Sequence, residues 1–343
     1  MIQERVYIIV LNYKNLTDTI ECLESLFLID YGNAVVVVVD NDSQDGSIEG
    51  IQNWADGTCG YHMPKSSPLD ELRTCFVKKP LKYTYIKEGC EPIGASLEQK
   101  LVIIAGNDNR GYAAGNNKGV RYAMARGDCK YVWLLNNDTV VDRYVLSYQV
   151  KQMQTFSMAE RQIGILGHKL NYYYSPDRIQ AIGGIYNRFM ASAKHLGEGE
   201  LDFGQYNESC QDKNIDYPIG ASLFVNVEFI KDVGLLTEDY FLYYEEIDWV
   251  VRGKRRGWEL GYCGAGKIYH KEGSSAGSSM NANKVGYLSD FYSVANKLIV
   301  TRNLYPHLLP FAAISFLLSI VNRLRRGHFK KAKNLIIWNR RRF

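Results

Sequence analysis

The 343-residue sequence lacks several features that would assign it to a well-defined class. It has no Cys-X-X-Cys pair and no Cys/His spacing typical of zinc, and its seven cysteines are an odd number. This pattern predicts reduced thiols in a cytosolic protein rather than a disulfide scaffold. No secretory leader is evident at the N-terminus, and the longest apolar run, residues 308–321, has 14 residues. We expect that run to be too short to span a bilayer unaided.

Acidic residues are missing from the C-terminal part of the chain. The whole sequence carries 41 basic and 37 acidic residues, a net charge of +4 that gives no reason to expect nucleic-acid binding. No Asp or Glu follows Asp290, whereas eleven Lys and Arg do, which leaves 30 basic against 37 acidic residues in 1–290. The chain therefore combines a mildly acidic region, with a net charge of −7, and a wholly basic tail. The apolar content of 46% excludes disorder of the chain as a whole.

The first half alternates short apolar runs, rich in β-branched residues, with segments of helical periodicity. The predicted strands are 6–11, 34–39, 101–104 and 131–135, and the predicted helices are 17–28, 47–55 and 112–126. This rhythm predicts an α/β doubly wound sheet. Residues 56–100 interrupt it, and we interpret them as an insertion or an excursion from the sheet with one strand-like stretch at 82–87. Further on, strands are predicted at 163–167, 179–185, 219–225, 260–263 and 267–270, and a helix at 245–256.

Three polar loops, 40–46, 106–117 and 136–139, each follow a predicted strand, where ligands bind in such folds. Asp40 and Asp42 could bind a ribose or a base, or form an Asx-rich turn that caps the next helix. The glycine-rich loop could approach phosphates, or could only allow close helix packing. Asp138 could bind Mg²⁺ or Mn²⁺ at a pyrophosphate, or Asp138 or Thr139 could cap a helix.

Two further patterns could carry chemistry. Glu245, Glu246 and Asp248 could include a general base, or could form only an acidic first turn stabilised by the helix dipole. His270 precedes a Gly/Ser-rich segment that could act as a lid, although a single histidine is more often structural.

Taken in order, these motifs resemble family 2 glycosyltransferases with the GT-A fold, especially the rhamnosyltransferase-like branch of bacterial surface-polysaccharide synthesis. The matching segments are IIVLNYKN (8–15), VVDNDSQDGS (38–47), NDNRGYAAGNNKG (107–119), WLLNNDTVVD (133–142), GASLFVNVEFIKDVG (220–234), YFLYYEEIDWVVRGKRRGW (240–258) and KIYHKEGSS (267–275). The resemblance covers most of the chain apart from about 56–100. It implies a Rossmann-like nucleotide-binding sheet with helices on both faces.

The resemblance also implies roles for single residues. Glu246 corresponds to the catalytic base, with Asp248 as the alternative base and Glu245 as its neighbour in the catalytic group. Asp138 and His270 correspond to residues at the metal and diphosphate, with Asn136 standing where the family more often has an aspartate. The implied nucleotide-sugar contacts are Asn12, Asp40, Asp42, Asn109, Gly111, Asn116, Asn136, Asn137 and Gly220.

The implied activity is an inverting, metal-assisted transfer of a sugar from a nucleoside diphosphate to a hydroxyl of a glycan or lipid-linked glycan. The branch points to dTDP-rhamnose as donor, with a UDP-hexose or UDP-N-acetylhexosamine as the alternative. A sugar nucleotidyltransferase should have a glycine-rich N-terminal loop, which 11–15 lacks. A catalytically inactive nucleotide-sugar-binding protein is the distant alternative, and the intact carboxylates argue against it.

In the tail, the apolar run 308–321 is followed by dense Lys and Arg in 322–334 and 340–342. This combination is typical of a helix that lies on an anionic membrane, although a core helix with a solvated basic end is the alternative. We therefore expect a catalytic domain over 1–290 and a membrane-associating helical tail over 291–343. The expected location is cytoplasmic, peripheral on the inner face of the cell membrane.

Overall fold

The computed structural model describes residues 3–58, 69, 77–90, 99–272 and 286–342. In the first half, strands and helices alternate as expected. The elements are β1 (Val6–Asn12), α1 (Leu16–Leu26), β2 (Ala34–Asp40), α2 (Ser47–Asp56), β3 (Tyr83–Lys87), β4 (Leu101–Ala105), α3 (Tyr112–Ala125) and β5 (Tyr131–Asn136). The α/β fold class is confirmed.

The second half is a mixture of strands and short helices followed by three C-terminal helices. It contains β6 (Thr139–Val141), α4 (Val145–Met158), β7 (Ile163–Tyr172), β8 (Ser175–Ala181), β9 (Gly183–Asn187), β10 (Ser192–Leu196), β11 (Ser222–Asn226), α5 (Val227–Val233), α6 (Glu245–Lys254), β12 (Glu259–His270), α7 (Tyr287–Leu304), α8 (Leu309–Arg325) and α9 (Phe329–Arg342). The two extended segments expected at 260–263 and 267–270 are one strand, β12, with an irregular register between Cys263 and Ile268.

The central sheet has the order β3-β4-β2-β1-β5-β11-β7-β12-β6. Its first five strands are parallel, whereas β11 runs antiparallel to both β5 and β7. Both faces of the parallel part are covered, which explains the continuous apolar runs. Along β2, Val36 and Val38 join one core, and Val35, Val37 and Val39 join the other. Alternate side chains of one strand thereby build two hydrophobic layers.

Residues 56–100 are not wholly an excursion from the sheet. Strand β3 within this segment pairs in parallel with β4 and forms one edge of the central sheet. The strand predicted at 82–87 is therefore confirmed as β3. Its pairing could not be deduced from local pattern, because the partner strand β4 comes later in the chain. The parts of this segment at 59–68, 70–76 and 91–98 lie outside the described residues.

The turn after β5 leads into a strand rather than a helix. Thr139 begins β6, which pairs antiparallel with the end of β12, and the Thr139 hydroxyl donates to the Asn136 carbonyl at 2.7 Å. The alternative in which Asp138 or Thr139 caps a helix is therefore wrong. Instead, Asp138 is held in the turn that joins β5 to β6.

The C-terminal helices are part of the folded body. One hydrophobic cluster contains Tyr240, Tyr244 and Ile247 together with Leu298 of α7 and Phe316 of α8. The apolar helical segment Pro306–Arg325 has 20 residues. Its most apolar 18-residue stretch has a mean hydropathy of 1.5, and 28% of that stretch is buried. The expectation that this run is too short is thus corrected. Among the described residues, this helix alone is long and apolar enough to cross a membrane by length and composition.

Candidate active site

The loops after the parallel strands are joined by buried amide and hydroxyl contacts. Asn12, at the end of β1, donates from Nδ2 to Asp40 Oδ1 at 2.6 Å, and its Oδ1 accepts from the Thr19 hydroxyl at 2.8 Å. Asn137 Nδ2 donates to the same Thr19 oxygen at 2.9 Å. Because parallel strands end at one edge, residues far apart in sequence meet there. Asn12, Asp40 and Asn137 are therefore brought together as the sequence pattern suggested.

Asp40 is buried and satisfied within its own loop. Besides Asn12, its carboxylate accepts from the Ser43 amide at 2.9 Å and from the Ser43 hydroxyl at 2.6 Å. These contacts form a turn of the Asx type, but the turn does not cap the next helix as the alternative interpretation held, because the N-cap of α2 is Gly46. Asp42 differs, because its backbone has a φ of 60° and its half-buried carboxylate accepts only a contact from exposed Gln44 among the hydrogen bonds described. Asp40 therefore shapes the loop, and Asp42 presents a carboxylate at its surface.

The glycine-rich loop contacts both the loop after β2 and the segment before α6. Asn41 Nδ2 donates to Asn109 Oδ1 at 2.9 Å, and that oxygen also accepts from the Gly111 amide at 3.0 Å. Gly111 has a φ of +94°, and a Cβ there would lie 2.2 Å from the Phe241 carbonyl oxygen. The close approach and the positive φ both require glycine at this position.

The remaining glycines of this motif serve packing. A Cβ on Gly115 would lie 2.5 Å from Leu11, and one on Gly119 would lie 2.5 Å from Ile9, so helix α3 packs directly on the sheet. Asn116 is buried, and its Nδ2 donates to the Tyr112 carbonyl of the same helix at 3.0 Å. The alternative of close helix packing is therefore realised in this part of the motif.

Asp138 and His270 form a buried pair at the ends of β5 and β12. His270 Nε2 lies 3.1 Å from Asp138 Oδ1, and His270 Nδ1 lies 2.9 Å from Gln180 Oε1. With Nδ1 donating to Gln180, Nε2 is directed at the carboxylate. Burial lowers the pKa of His270, but the Asp138 carboxylate outweighs this effect, so that the pKa is raised.

The pair fits part of a divalent-cation site. An imidazole nitrogen and a carboxylate oxygen are suitable ligands for Mn²⁺ or Mg²⁺, whose other ligands can be water or phosphate oxygens. No group of three or more His, Cys, Asp or Glu side chains that could hold a metal occurs within the part of the chain that the structure describes. The Gly/Ser-rich segment expected as a lid, 273–277, lies outside that part.

The acids at the start of α6 are in two different environments. Glu245 is buried, and burial together with the Glu246 charge raises its pKa well above its usual range. Burial raises the pKa of Glu246 to about 7. Near neutral pH, Glu246 is therefore the acid of this pair that is expected to titrate.

Asp248 is committed to structural contacts. Its Oδ1 accepts from Arg252 Nε and from the Thr237 hydroxyl, both at 2.6 Å, and its Oδ2 accepts from the Tyr240 hydroxyl at 3.2 Å. Arg252 in turn donates to the carbonyls of Val233 and Leu235 at 2.8 Å. Asp248 and Arg252 thereby anchor the loop that precedes α6, and both carboxylate oxygens of Asp248 already accept hydrogen bonds from protein donors.

A strained turn positions the two glutamates. Tyr243 and Tyr244, which precede Glu245, have φ values of 70° and 75°, a region costly for residues with a Cβ. Helix α7 holds this turn: buried Asn296 donates from Nδ2 to the Leu242 carbonyl at 2.7 Å and lies 3.3 Å from the Tyr243 carbonyl. The start of α6 therefore depends on a residue from the C-terminal tail.

Tyr112 is a site residue that sequence reasoning missed. Its hydroxyl donates to the Gly220 carbonyl at 2.6 Å. Its pKa is raised well above the usual range, first by burial and then by the charges of Glu245, Glu246 and, less strongly, Asp138. The charges of Glu245 and Glu246 in α6 and of Asp138 in the β5–β6 turn thus all raise the pKa of this one side chain. The only sequence signal was its place directly after Gly111 in the glycine-rich motif.

Gly220 and Asn136 lie beside this group. A Cβ on Gly220 would meet no atom within 4 Å, so the residue borders open space. The backbone amide of Asn136 donates to the Ala221 carbonyl at 3.0 Å, which ties the end of β5 to the start of β11. The structure therefore groups most of the residues singled out from sequence, whereas Asp248 is bound to Arg252, Thr237 and Tyr240. Asn116 joins the group through its contact with Tyr112.

Comparison with known proteins shows which proteins this chain is similar to. No family model matches the sequence. The low-salt glycan biosynthesis hexosyltransferase Agl10 of Haloferax volcanii is 25% identical over 167 residues, which are 48% of this chain and 50% of that protein. The chain thus spans about half the length of the curated relative it matches.

A solved mannosyltransferase structure supports the assignment of the fold. The mannosyltransferase PcManGT from Pyrobaculum calidifontis, in complex with GDP-Man and Mn²⁺, superposes with a TM-score of 0.53 at 15% identity, covering 99% of this chain and 80% of that one. TarS 1–349 of S. aureus, in complex with UDP-GlcNAc, has a TM-score of 0.48 at 12% identity, covering 98% and 92%. The chain is therefore related in sequence to a hexosyltransferase and has the GT-A glycosyltransferase fold.

Proposed function

We propose that this protein is an inverting, metal-assisted glycosyltransferase that moves a sugar from a nucleoside diphosphate to an acceptor hydroxyl. One observation supports this most directly. The charges of Glu246, whose pKa of about 7 suits a general base, and of Asp138 both raise the pKa of the buried Tyr112 hydroxyl, which donates to the Gly220 carbonyl at 2.6 Å. This supports the proposal that the acid for proton removal and the acid for charge neutralisation serve one site at the ligand-binding edge of the sheet.

The proposed reaction is a single displacement. The acceptor oxygen forms a bond to the anomeric carbon while the bond from that carbon to the diphosphate oxygen breaks. The acceptor proton passes to the Glu246 carboxylate, and the electron pair of the broken bond leaves with the nucleoside diphosphate. Attack opposite to the leaving group inverts the anomeric centre, and no covalent enzyme intermediate is needed.

Glu246 is proposed as the base in preference to its neighbours. Burial and the Glu246 charge raise the pKa of Glu245 well above its usual range, which disfavours its charged form. Asp248 accepts hydrogen bonds from Arg252, Thr237 and Tyr240, so a proton transfer to it would break a network that supports the loop. We therefore assign positioning roles to Glu245 and Asp248.

Asp138 and His270 are the proposed protein ligands of Mg²⁺ or Mn²⁺. When bound, the cation would neutralise the charge that develops on the departing diphosphate. Gln180 fixes the His270 ring and so directs Nε2 toward Asp138. This support from a second side chain is typical of histidine ligands.

The nucleotide sugar is proposed to bind along the joined loops. Asp42 has the accessible carboxylate for the nucleoside, and Asn12 and Asp40 shape that loop. Asn109 and Gly111 would line the diphosphate sugar, and Asn136, Asn137 and Gly220 border the space beside them. For Asn116 we propose an indirect role through α3, because its side chain is bound within that helix. The donor proposed first is dTDP-rhamnose, with a UDP-hexose or UDP-N-acetylhexosamine as the alternative.

The acceptor is proposed to be a glycan or a lipid-linked glycan, and the C-terminal tail to hold the enzyme on an anionic membrane surface. The basic tail and the exposed apolar side chains of α8 support this second proposal. The corresponding location is the cytoplasmic side of the cell membrane, with a peripheral attachment.

The test is a transfer and hydrolysis assay with dTDP-, UDP- and GDP-sugars, run with Mn²⁺ and with a chelator. We expect one donor to be turned over with Mn²⁺, activity to be lost in the Glu246→Gln variant, and the Glu49→Gln variant, which changes a first-turn acid of α2, to remain active. Thermal stabilisation by a nucleotide without turnover of any donor would instead favour the inactive binding protein. Near-normal turnover by Glu246→Gln would overturn the base assignment.

A further inference from the structure

Helix α8 presents an apolar face to solvent. Phe311, Ile314, Leu317 and Leu318 are 49%, 54%, 59% and 55% exposed, and the same face continues to Val321. Their spacing of three and four residues places them along one side of the helix. A contiguous apolar face of this kind on a folded protein indicates a surface that contacts another phase or partner.

A second element extends this face. The turn between β9 and β10 exposes Phe189 and Met190, and the Phe189 ring lies 5.9 Å from the Phe311 ring between centroids. The Ser315 hydroxyl of α8 donates to the Met190 carbonyl at 2.7 Å, which fixes the turn against the helix. Two segments more than a hundred residues apart in sequence therefore form one surface, which we call the apolar plate (Phe189, Met190, Phe311, Ile314, Leu317, Leu318 and Val321).

The opposite side of α8 is bound to the folded body. Lys297 of α7 donates from Nζ to the Ser315 hydroxyl at 2.9 Å, and Arg323 donates to Asp290 at 2.8 Å. Phe316 is buried in the cluster shared with α7. A helix crossing the bilayer would lose these partners, so that Lys297 would lose its contact with Ser315 and Asp290 its ion pair with Arg323. The contacts favour a helix that lies along a membrane over one that spans it.

Exposed basic residues border the plate. Arg188 precedes Phe189 in the turn, and Arg325, Arg326 and Lys330 follow the apolar face of α8. The sequence after Asp290 holds no acidic residue, and Asp290 is paired with Arg323. Apolar side chains beside exposed positive charge match an anionic lipid surface, because the apolar side chains can contact the acyl chains and the basic side chains can contact the anionic headgroups.

We propose that the apolar plate docks flat on an anionic bilayer, with the turn between β9 and β10 as a second contact beside α8. This proposal refines the membrane partner proposed above by naming the surface and its orientation. It also brings the membrane close to the strained turn before α6, because the hydroxyl of Tyr244 in that turn donates at 3.0 Å to the carbonyl of Ala191, the residue after Met190.

The test is co-sedimentation of the full chain with phosphatidylcholine vesicles, with and without phosphatidylglycerol. We expect binding to need the anionic lipid, and Leu317→Asp and Phe189→Asp each to weaken it at least about tenfold. Phe203→Asp and Met158→Asp serve as matched controls, because these side chains are 84% and 85% exposed outside the plate, and both should bind as wild type. The assay uses no sugar donor, so its failure is independent of the proposed transfer reaction.

Three outcomes would overturn the proposal. Equal binding by Phe189→Asp and its controls would remove the turn from the surface. Resistance of the bound protein to an alkaline carbonate wash would show that α8 spans the membrane. Conversion of a dimer to a monomer by Leu317→Asp, with vesicle binding unchanged, would assign the plate to a second copy of the chain.

Discussion

Replacing Glu246 by Gln should stabilise the protein at alkaline pH while abolishing transfer. Burial raises the pKa of Glu246 from 4.5 to about 7, so its charged form is disfavoured in the folded state. A raised pKa stabilises the fold at low pH, and this contribution is lost as the pH rises from 4.5 through about 7. The shift corresponds to roughly 3 kcal/mol, and the partial exposure of the side chain makes this an upper limit.

The measurement is urea unfolding of the full chain without nucleotide at about pH 5 and about pH 8. Glu246→Gln should exceed the wild type by up to roughly 3 kcal/mol at the higher pH and by much less at the lower, because the amide has no charge to bury. The matched control is Asp248→Asn, which weakens the ion pair with Arg252 and should lose about 2 kcal/mol at about pH 8.

The activity of the same variants completes the experiment. Wild-type kcat/KM should rise with pH through about 7 as Glu246 loses its proton, and Glu246→Gln should be inactive across that range. A stability difference between Glu246→Gln and wild type that does not change with pH would refute the burial argument. A stabilised and still active variant would refute the assignment of Glu246 as the base.

Three further predictions concern the support of the site. Asn296→Ala should lower kcat at least about tenfold with little change in nucleotide affinity, because it releases the strained turn before α6. Thr301→Val, a buried change on the same helix, should leave kcat unchanged. Equal effects of the two substitutions on kcat would contradict the role of Asn296 in holding the turn. Gly111→Ala should destabilise the fold by about 3 kcal/mol in urea unfolding, through its positive φ and the close carbonyl, and a neutral result would contradict the geometry. Asp138→Ala and His270→Ala should each abolish the Mn²⁺ dependence of donor binding measured by calorimetry, and unchanged Mn²⁺ dependence would exclude the pair as ligands.

Much of the first half of the fold could be predicted because its signals are local. Each parallel strand is buried on both faces, so it must be apolar throughout, and each loop after a strand is polar. The convergence of those loops follows from parallel pairing alone, as the contacts of Asn12 with Asp40 and Thr19 show. The pairing of β3 with β4 could not be predicted, since edge position depends on partners that local pattern does not specify.

Among the acids of α6, sequence pattern could not rank the candidates. Spacing placed Glu245, Glu246 and Asp248 in one turn, but only the packed structure gives Asp248 the donors Arg252, Thr237 and Tyr240. The difference arises because hydrogen bonding and burial depend on the whole surroundings of a side chain. The same holds for Tyr112, whose environment comes from the carboxylates of two distant segments.

By itself, the sequence determined the α/β architecture, the order of the polar loops and the contrast between an acidic body and a basic tail, because periodicity and charge are read directly from neighbouring residues. Tertiary structure alone decided that the tail belongs to the site, through Asn296 and the turn before Glu245, and that Phe189 and Met190 lie beside the apolar face of α8. Both contacts join residues more than fifty positions apart, and their formation depends on how the helices and the sheet pack in three dimensions.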